Sequence, residues 1–358
     1  MALATSYELG DRPSQRGARE SLDNTIRRVS PESCPLYSTL SRGPRAQAML
    51  SEWIVDDLSE VNFPGHVDGA PLNFQGSNNA NDDFIDKTTE RVRFGARVQQ
   101  FQRTFAVSPQ AEAVNVAGPD NLYAMSKSRA LIELKRDMEG AIGSDQTARL
   151  GSNAVGDRFA GLGTWTDPGS TDPLTYGNPV APATDDRHDH RSVASSRFDL
   201  TNSNTGFTEG DFRDMLQAVF ELHGNAPSYK LFAGPSVVNQ VADMTRITSG
   251  NNNFGFQFTQ DVGDATLRLQ VQEYISDWGR VFIVPSLFLG RVSGIAFNDQ
   301  ARNRAYLLPS DNGIALRFLE DVRTIDLEDI DGAGKRGLVR SMFTLTCASA
   351  GKPLGSIV

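Results

Sequence analysis

The densest group of chemistry-bearing side chains in the sequence is Asp185-Asp186-Arg187-His188-Asp189-His190-Arg191. In an extended segment His188 and His190 fall on one face, where two imidazoles can ligate zinc. A hydrolytic metal centre needs a third protein ligand and an open position for water. No His or Cys pair elsewhere offers that ligand, and the flanking chain is rich in Gly, Pro, Ser and Thr. The segment therefore reads as a solvated or subunit-contacting polar loop, with His188 and His190 retained as weak metal candidates. His66 has no evident partner. His223 falls at the expected C-terminus of a helix, where an imidazolium complements the dipole. Asp82-Asp83 and Asp185-Asp186 are carboxylate pairs of the kind that bind calcium weakly, although isolated pairs in loops are usually solvated.

The other routes to catalysis are equally thin. Cys34 precedes Pro35 with no His nearby to activate it. Cys34 and Cys347 lie far apart and form neither a disulfide framework nor a zinc spacing. No Gly-x-Ser-x-Gly elbow, Walker loop or His-Glu-x-x-His motif occurs. Gly161-Leu162-Gly163 lacks the third glycine of a dinucleotide loop and follows no strand. Four histidines without a coherent constellation point to a protein that is not an enzyme and uses no cofactor.

Composition bounds what remains. The 358 residues suffice for two ordinary domains or one large one. The apolar fraction is 39%, below the roughly 45–50% (Gly included) of globular chains, so much of the chain must lie outside a core. The net charge of −9 argues against affinity for nucleic acid through counterion release. Basic residues are 29 Arg against 6 Lys. Arg forks pair bidentately with carboxylates at interfaces, and GC-rich codon usage would give the same bias. No run approaches the length of a membrane span, and the first residues lack an apolar signal core. Synthesis in the cytoplasm and no membrane partner are expected.

The elements that would position these residues can be read from periodicity. Residues 1–20 are polar and read as a mobile arm. Leu22, Ile26 and Val29 follow at helical spacing, stopped by Ser30-Pro31. Within residues 1–50 seven Arg face five acidic residues, so the arm is mildly basic. SEWIVDDL (51–58) reads as a strand. A Gly-, Pro- and Asn-rich tip follows, then a second extended run over 88–107. Residues 51–107 thus form a long hairpin with too few apolar residues for a core of its own. Such segments contact something else.

The clearest helix spans 121–142. Leu131, Leu134, Met138 and Ile142 share one face, and Lys135 with Glu139 is expected as an i,i+4 pair on the other. Residues 151–207 form a second loose stretch. Thr208-Glu209-Gly210-Asp211 resembles a capping box opening an amphipathic helix through His223. A strand at 229–233 and a helix at 235–244 come next. Strands are also expected around Leu267, Leu269 and Val271, at 281–284, around Ile314, Leu316 and Phe318, and from Val339 to Cys347. Residues 208–310 make a plausible α/β core.

The order of parts resembles the tailed-phage capsid fold named after phage Hong Kong 97. Local segments sharpen the match to the SU-10-type major head protein family. They are ESLDNTIRRVSPESCPLYSTL (20–40), EWIVDDL (52–58), RVRFGARVQQFQRTFAVSPQAEAV (91–114), RALIELKRDMEGAI (129–142) and FTEGDFRDMLQAVFELHGNAPSYKLFAGPSVVNQVADM (207–244). Two departures stand out: Cys34, where a Thr is expected before the proline, and the unmatched stretch 165–206.

The resemblance implies an α+β fold in four parts. These are an N-terminal arm (1–50), an extended E-loop (51–107), a P-domain (108–150 plus 311–358) with spine helix 121–142, and an A-domain (151–310). It implies a major capsid protein that assembles into hexameric and pentameric capsomers of an icosahedral shell around double-stranded DNA. Scaffolding, portal and decoration proteins would be partners, without sequence-specific DNA contacts. The protein would be made in the bacterial cytoplasm and end in the virion. Candidate assembly residues are Trp53, Asp56, Asp57, Lys87, Arg91, Arg93, Arg97 and Arg103. Some shells of this fold cross-link Lys to Asn, which would draw on Lys87. The competing readings are an encapsulin-like nanocompartment shell, a minor head or decoration protein, and a metal-dependent enzyme using His188 and His190.

Overall fold

The computed structural model describes residues 32–55, 92–113, 121–166, 197–198, 207–223, 228–244, 273–289, 302–310, 313–327, 334–347 and 354–357. The expected arm at 1–20, the helix around Leu22, Ile26 and Val29, the hairpin tip and the strand around Leu267 to Val271 lie outside the described residues. So does most of 165–206.

The described chain is α+β, with three sheets. The first is a two-stranded ribbon of β2 (Leu50–Val55) and β3 (Val92–Arg97), antiparallel from Leu50↔Arg97 to Val55↔Val92. The second has the order β1-β10-β11-β4. Here β1 is Ser41–Arg42, β4 Gln99–Val107, β10 Ile314–Leu327 and β11 Lys335–Cys347. Strand β1 runs parallel to β10, and the chain stays alongside as Gly43 and Ala46 donate to the carbonyls of Leu316 and Phe318. The third has the order β5-β12-β9-β6-β8-β7. Its strands are β5 (Arg197–Phe198), β6 (Ser228–Ala233), β7 (Glu273–Ser276), β8 (Gly279–Pro285), β9 (Ala305–Pro309) and β12 (Gly355–Ile357). Strands β6 and β8 are parallel, while β9 is antiparallel to β6.

Among the described residues six helices accompany them: α1 (Pro35–Thr39), α2 (Pro109–Ala113), α3 (Leu122–Ile142), α4 (Leu162–Trp165), α5 (Glu209–His223) and α6 (Pro235–Met244). In α3 the stripe read from the sequence is the buried face: Leu134, Met138 and Ile142 are fully covered. The start of α5 forms the reciprocal capping box. The Asp211 amide donates to Thr208 Oγ1 (3.3 Å), and the Thr208 amide donates to Asp211 Oδ2 (2.9 Å).

The chain partitions into two compact units. One comprises Met1–Glu32, Arg103–Ile132 and Thr324–Val339. In it Phe105 packs on Tyr123, with ring centroids 5.2 Å apart. The Tyr123 hydroxyl donates to Asp326 (2.6 Å), and Lys335 pairs with Glu112 (2.5 Å). Gly334 has φ +107°, and a Cβ there would strike the Val107 carbonyl, so glycine is required on both counts.

The other unit comprises Ser33–Gln102, Glu133–Arg323 and Arg340–Val358. It holds two apolar clusters. Phe343 is the hub of the first, with Phe101, Phe159 and Phe318 at 5.1, 5.4 and 5.5 Å. The second lies on the six-stranded sheet. Tyr229, Leu231, Val281 and Leu307 from the strands meet Phe212, Leu216 and Val219 of α5 and Val237 and Val241 of α6. Burying a side chain of this size contributes about 1.5–3 kcal/mol each, so this sheet and its two helices form the main core of the unit.

Three expectations need correction. Strand β4, read as part of the long hairpin, belongs to the four-stranded sheet, because Phe101, Phe105 and Val107 alternate inward and require a covered face. Residues 355–357, expected to form no strand and to belong to the P-domain span 311–358, form β12 and pair with β9 and β5 of the six-stranded sheet. Part of the loose stretch 151–207 is core: Phe159, Leu162 and Trp165 are fully buried. Gly161 and Gly163, which made it read as a loop, serve close packing. A Cβ on Gly161 would collide with the Ser144 carbonyl.

Candidate functional site

Two tethers hold α1 and the root of the β2–β3 ribbon. The first begins at α1. Pro35 occupies its first position and has no N–H, so the amides of Leu36 and Tyr37 are the free donors of the first turn. A local cap would come from the side chain at residue 34, but Cys34 makes no capping bond. The acceptor is Glu139 of α3. Its Oε1 accepts from the Leu36 amide at 3.0 Å and its Oε2 from the Tyr37 amide at 2.6 Å. Ser286, just after β8, donates its hydroxyl to Oε1 at 3.0 Å. Two distant segments thus converge on one carboxylate of α3 that is fully buried.

This overturns the expected surface pairing of Glu139 with Lys135. Lys135 is exposed, while Glu139 faces α1. A buried carboxylate requires hydrogen bonds, and amide donors at a helix start supply both bonds and a favourable dipole. Burial pushes the Glu139 carboxyl above its ordinary range, and the bonds from Tyr37, Leu36 and Ser286 oppose that rise. The Cys34 thiol is pushed up to about 11, first by burial and then by the Glu139 charge. It stays protonated at neutral pH and is a poor nucleophile. One turn before Glu139, the Arg136 guanidinium lies 4.7 Å from the centre of the Phe288 ring, a second link between α3 and the segment after β8.

The C-terminus of α3 is also held. The Gly143 carbonyl accepts from the Tyr306 hydroxyl (3.0 Å) and from Arg304 (3.5 Å). Buried Arg304 is neutralised by Asp145. Cations and donors at a helix C-terminus satisfy its last carbonyls.

The second tether is the root of the β2–β3 ribbon. Trp53 stacks on Trp165, centroids 6.3 Å apart and planes at 28°. Arg97 pairs with Asp157 at 3.6 Å, and Arg317 donates to Ser51 Oγ (3.3 Å) and to the Glu52 carbonyl (3.4 Å). Next to this root Ile54 is 67% exposed. A two-stranded ribbon in water is marginal without a surface to lie on.

Of the candidate assembly residues, Trp53 and Arg97 both lie at the root, each held by a residue of the stretch read as loose. Arg93 lies opposite Ile54 in the ribbon, and Arg103 is half-buried in β4. Asp56, Asp57, Lys87 and Arg91 lie outside the described residues, as do His66, Asp82, Asp83, His188 and His190. Among the described residues no group of three His, Cys, Asp or Glu side chains could hold a metal. No helix among them is long and apolar enough to cross a membrane. Sequence reasoning missed Glu139, Asp157, Trp165 and Arg317. A large aromatic within a Gly-rich run was the one available signal, at Trp165.

Comparison with known proteins adds the family and the fold. The family profile described as SU10 major capsid protein matches residues 4–353. No curated protein matches the chain. Among solved structures, the capsid of cyanophage P-SCSP1u aligns with a TM-score of 0.57 at 10% identity, covering 99% of this chain and 98% of that one. The mature capsid of bacteriophage PhiM1 gives 0.56 at 10% identity, with the same coverage of 99% and 98%. Mycobacterium phage Adephagia gives 0.54 at 11%, covering 95% and 94%. The chain thus has the Hong Kong 97 type of capsid fold.

Proposed function

Because the chain belongs to the SU10 major capsid protein family, and is a structural subunit of a phage shell, we propose that its copies assemble into hexameric and pentameric capsomers of an icosahedral shell around double-stranded DNA. The match over residues 4–353 carries this reading. In it the β2–β3 ribbon and its tip are the E-loop, α3 is the spine helix of the P-domain, and the six-stranded sheet is the heart of the A-domain. The exposure of Ile54 supports an E-loop that lies on a neighbouring copy. Trp53 and Arg97 hold its root. Asp56, Asp57, Lys87, Arg91 and Arg93 contact the neighbour, and Arg103 supports the sheet behind. Many modest interfaces then add up around a closed surface.

The protein catalyses nothing and carries no cofactor. It encloses DNA without reading sequence, in keeping with its net charge of −9. It is made in the bacterial cytoplasm, ends in the virion, and works with portal, scaffolding and decoration proteins. Negative-stain microscopy of the expressed protein tests this reading. Closed shells or capsomer rings are expected. A monodisperse monomer at high concentration refutes it.

A further inference from the structure

Glu139 is an unusual way to cap a helix. An N-cap side chain at residue 34 would accept from the same two amides, those of Leu36 and Tyr37. Cys34 makes no such bond, and both amides reach instead to a carboxylate 103 and 102 residues away in sequence. The remote acceptor does what a local one cannot: it ties α1 to α3 and, through Ser286 at 3.0 Å, to the segment after β8. Leu36 is itself fully buried. The position of α1 is therefore set by this carboxylate.

We propose that Glu139 is a positioning residue for shell assembly, holding α1 on α3 so that the N-terminal arm meets a neighbouring copy in one geometry. This rests on the shell reading above. The groups facing Glu139 are the Leu36 and Tyr37 amides and the Cys34 thiol from the arm side and Ser286 from the segment after β8, while Arg136 and Lys135 of its own helix act on Cys34. Simple helix capping is the rival role, and the sequence offers a way to separate the two. Cys34→Thr supplies a local cap and leaves the tether untouched.

The test compares wild type, Glu139→Gln, Glu139→Ala and the double variant Cys34→Thr/Glu139→Ala. Shells are counted by microscopy, and amide exchange is read at Leu36 and Tyr37. Glu139→Gln keeps an oxygen for Leu36 and Ser286 but turns an NH2 toward the Tyr37 amide. It is the variant that decides if Glu139→Ala does not fold. We expect a folded Glu139→Gln protein whose Tyr37 amide exchanges about tenfold faster and whose shell yield falls by about tenfold. In the double variant the helix amides regain protection while shells stay scarce. Recovery of shells by Cys34→Thr shows that Glu139 is only a cap and overturns the proposal. Wild-type shell yield from folded Glu139→Gln overturns it as well. If wild type itself forms no shells, the shell reading fails first, a result distinct from either.

Discussion

The amide of Leu36 and the carboxylate of Glu139 meet at 3.0 Å across 103 residues of sequence. Both ends of this bond are buried, so neither has water as a substitute. Replacing Glu139 by Ala strands the buried Leu36 amide, the partly buried Tyr37 amide and the buried Ser286 hydroxyl. Each stranded buried donor costs about 1–3 kcal/mol. Glu139→Ala is expected to lower unfolding stability by about 3–5 kcal/mol, measured by urea denaturation. A loss under about 1 kcal/mol would mean that the donors find other acceptors.

The same carboxylate gives a pH dependence with a definite sign. Burial, the largest influence, raises the Glu139 pKa above its ordinary value of 4.5 in the folded chain. The folded state then binds the proton more tightly than the unfolded state. Its contribution to stability is full below 4.5 and is lost as pH rises through the folded value. Glu139→Gln cannot titrate. The stability of wild type relative to Glu139→Gln should therefore fall as pH rises above 4.5 and then level off. Urea midpoints of the two proteins across that range read the difference, and other carboxylates cancel. A rising difference contradicts the burial argument.

Cys34 should be slow to alkylate. Its pKa of about 11 lies two units above the ordinary 9.0, which cuts the reactive thiolate at pH 8 by about 100-fold. Cys347 is buried in β11 and is shielded while the chain is folded. Mass spectrometry after iodoacetamide is expected to find both thiols largely unmodified at pH 8. Labelling of Cys34 should climb about tenfold per pH unit toward 11. Rapid labelling at pH 7 would place Cys34 in a different environment.

How much of this was legible in the sequence depends on whether the signal was local. The buried stripe Leu134, Met138 and Ile142 follows from helical spacing, and the Thr208–Asp211 box follows from capping chemistry. Both need only neighbours in the chain. Glu139 was read as a surface partner of Lys135 because periodicity shows that a face is polar, not what covers it. Its partners come from α1 and from Ser286. Gly161 and Gly163 were read as loop residues because composition cannot distinguish a glycine chosen for freedom from one chosen for space. Strand β12 is three residues long, too short for alternation to register. Of the assembly candidates, Trp53 and Arg97 rested on family likeness. Their partners Trp165 and Asp157 carried no motif.

The ribbon root separates packing from tethering. Trp165 is 1% exposed and donates its indole N–H to the Ala160 carbonyl at 3.2 Å. Trp165→Ala opens a cavity and should cost about 3–5 kcal/mol. Trp53 is half-buried and meets Trp165 along one face. Trp53→Ala should cost about 1–2 kcal/mol and leave the Phe343 cluster intact. Amide exchange is expected to quicken in β2 and β3 but not in β11. Equal loss across β11 would show that the ribbon root is part of the core.

Gly161 and Gly163 sit two residues apart and give opposite kinds of obstacle to a methyl group. At Gly161 a Cβ would land on the backbone carbonyl of Ser144, which is fixed by the end of α3 and cannot yield. Gly161 has φ −76° and ψ 168°, ordinary extended backbone, so space alone excludes a side chain. At Gly163 the Cβ would meet the Asp145 carboxylate, the end of a side chain that is about half exposed and can swing aside. That swing withdraws the counter-charge from Arg304, whose side chain is only 4% exposed. Overpacking against fixed backbone costs about 3 kcal/mol or more, and displacement of a mobile side chain about 1–3 kcal/mol. Gly161→Ala should therefore be the more destabilising change in thermal unfolding. Gly163→Ala should instead be rescued in part by Arg304→Met, which removes the stranded charge. If Arg304→Met only adds to the loss, the pairing with Asp145 is not what Gly163 protects.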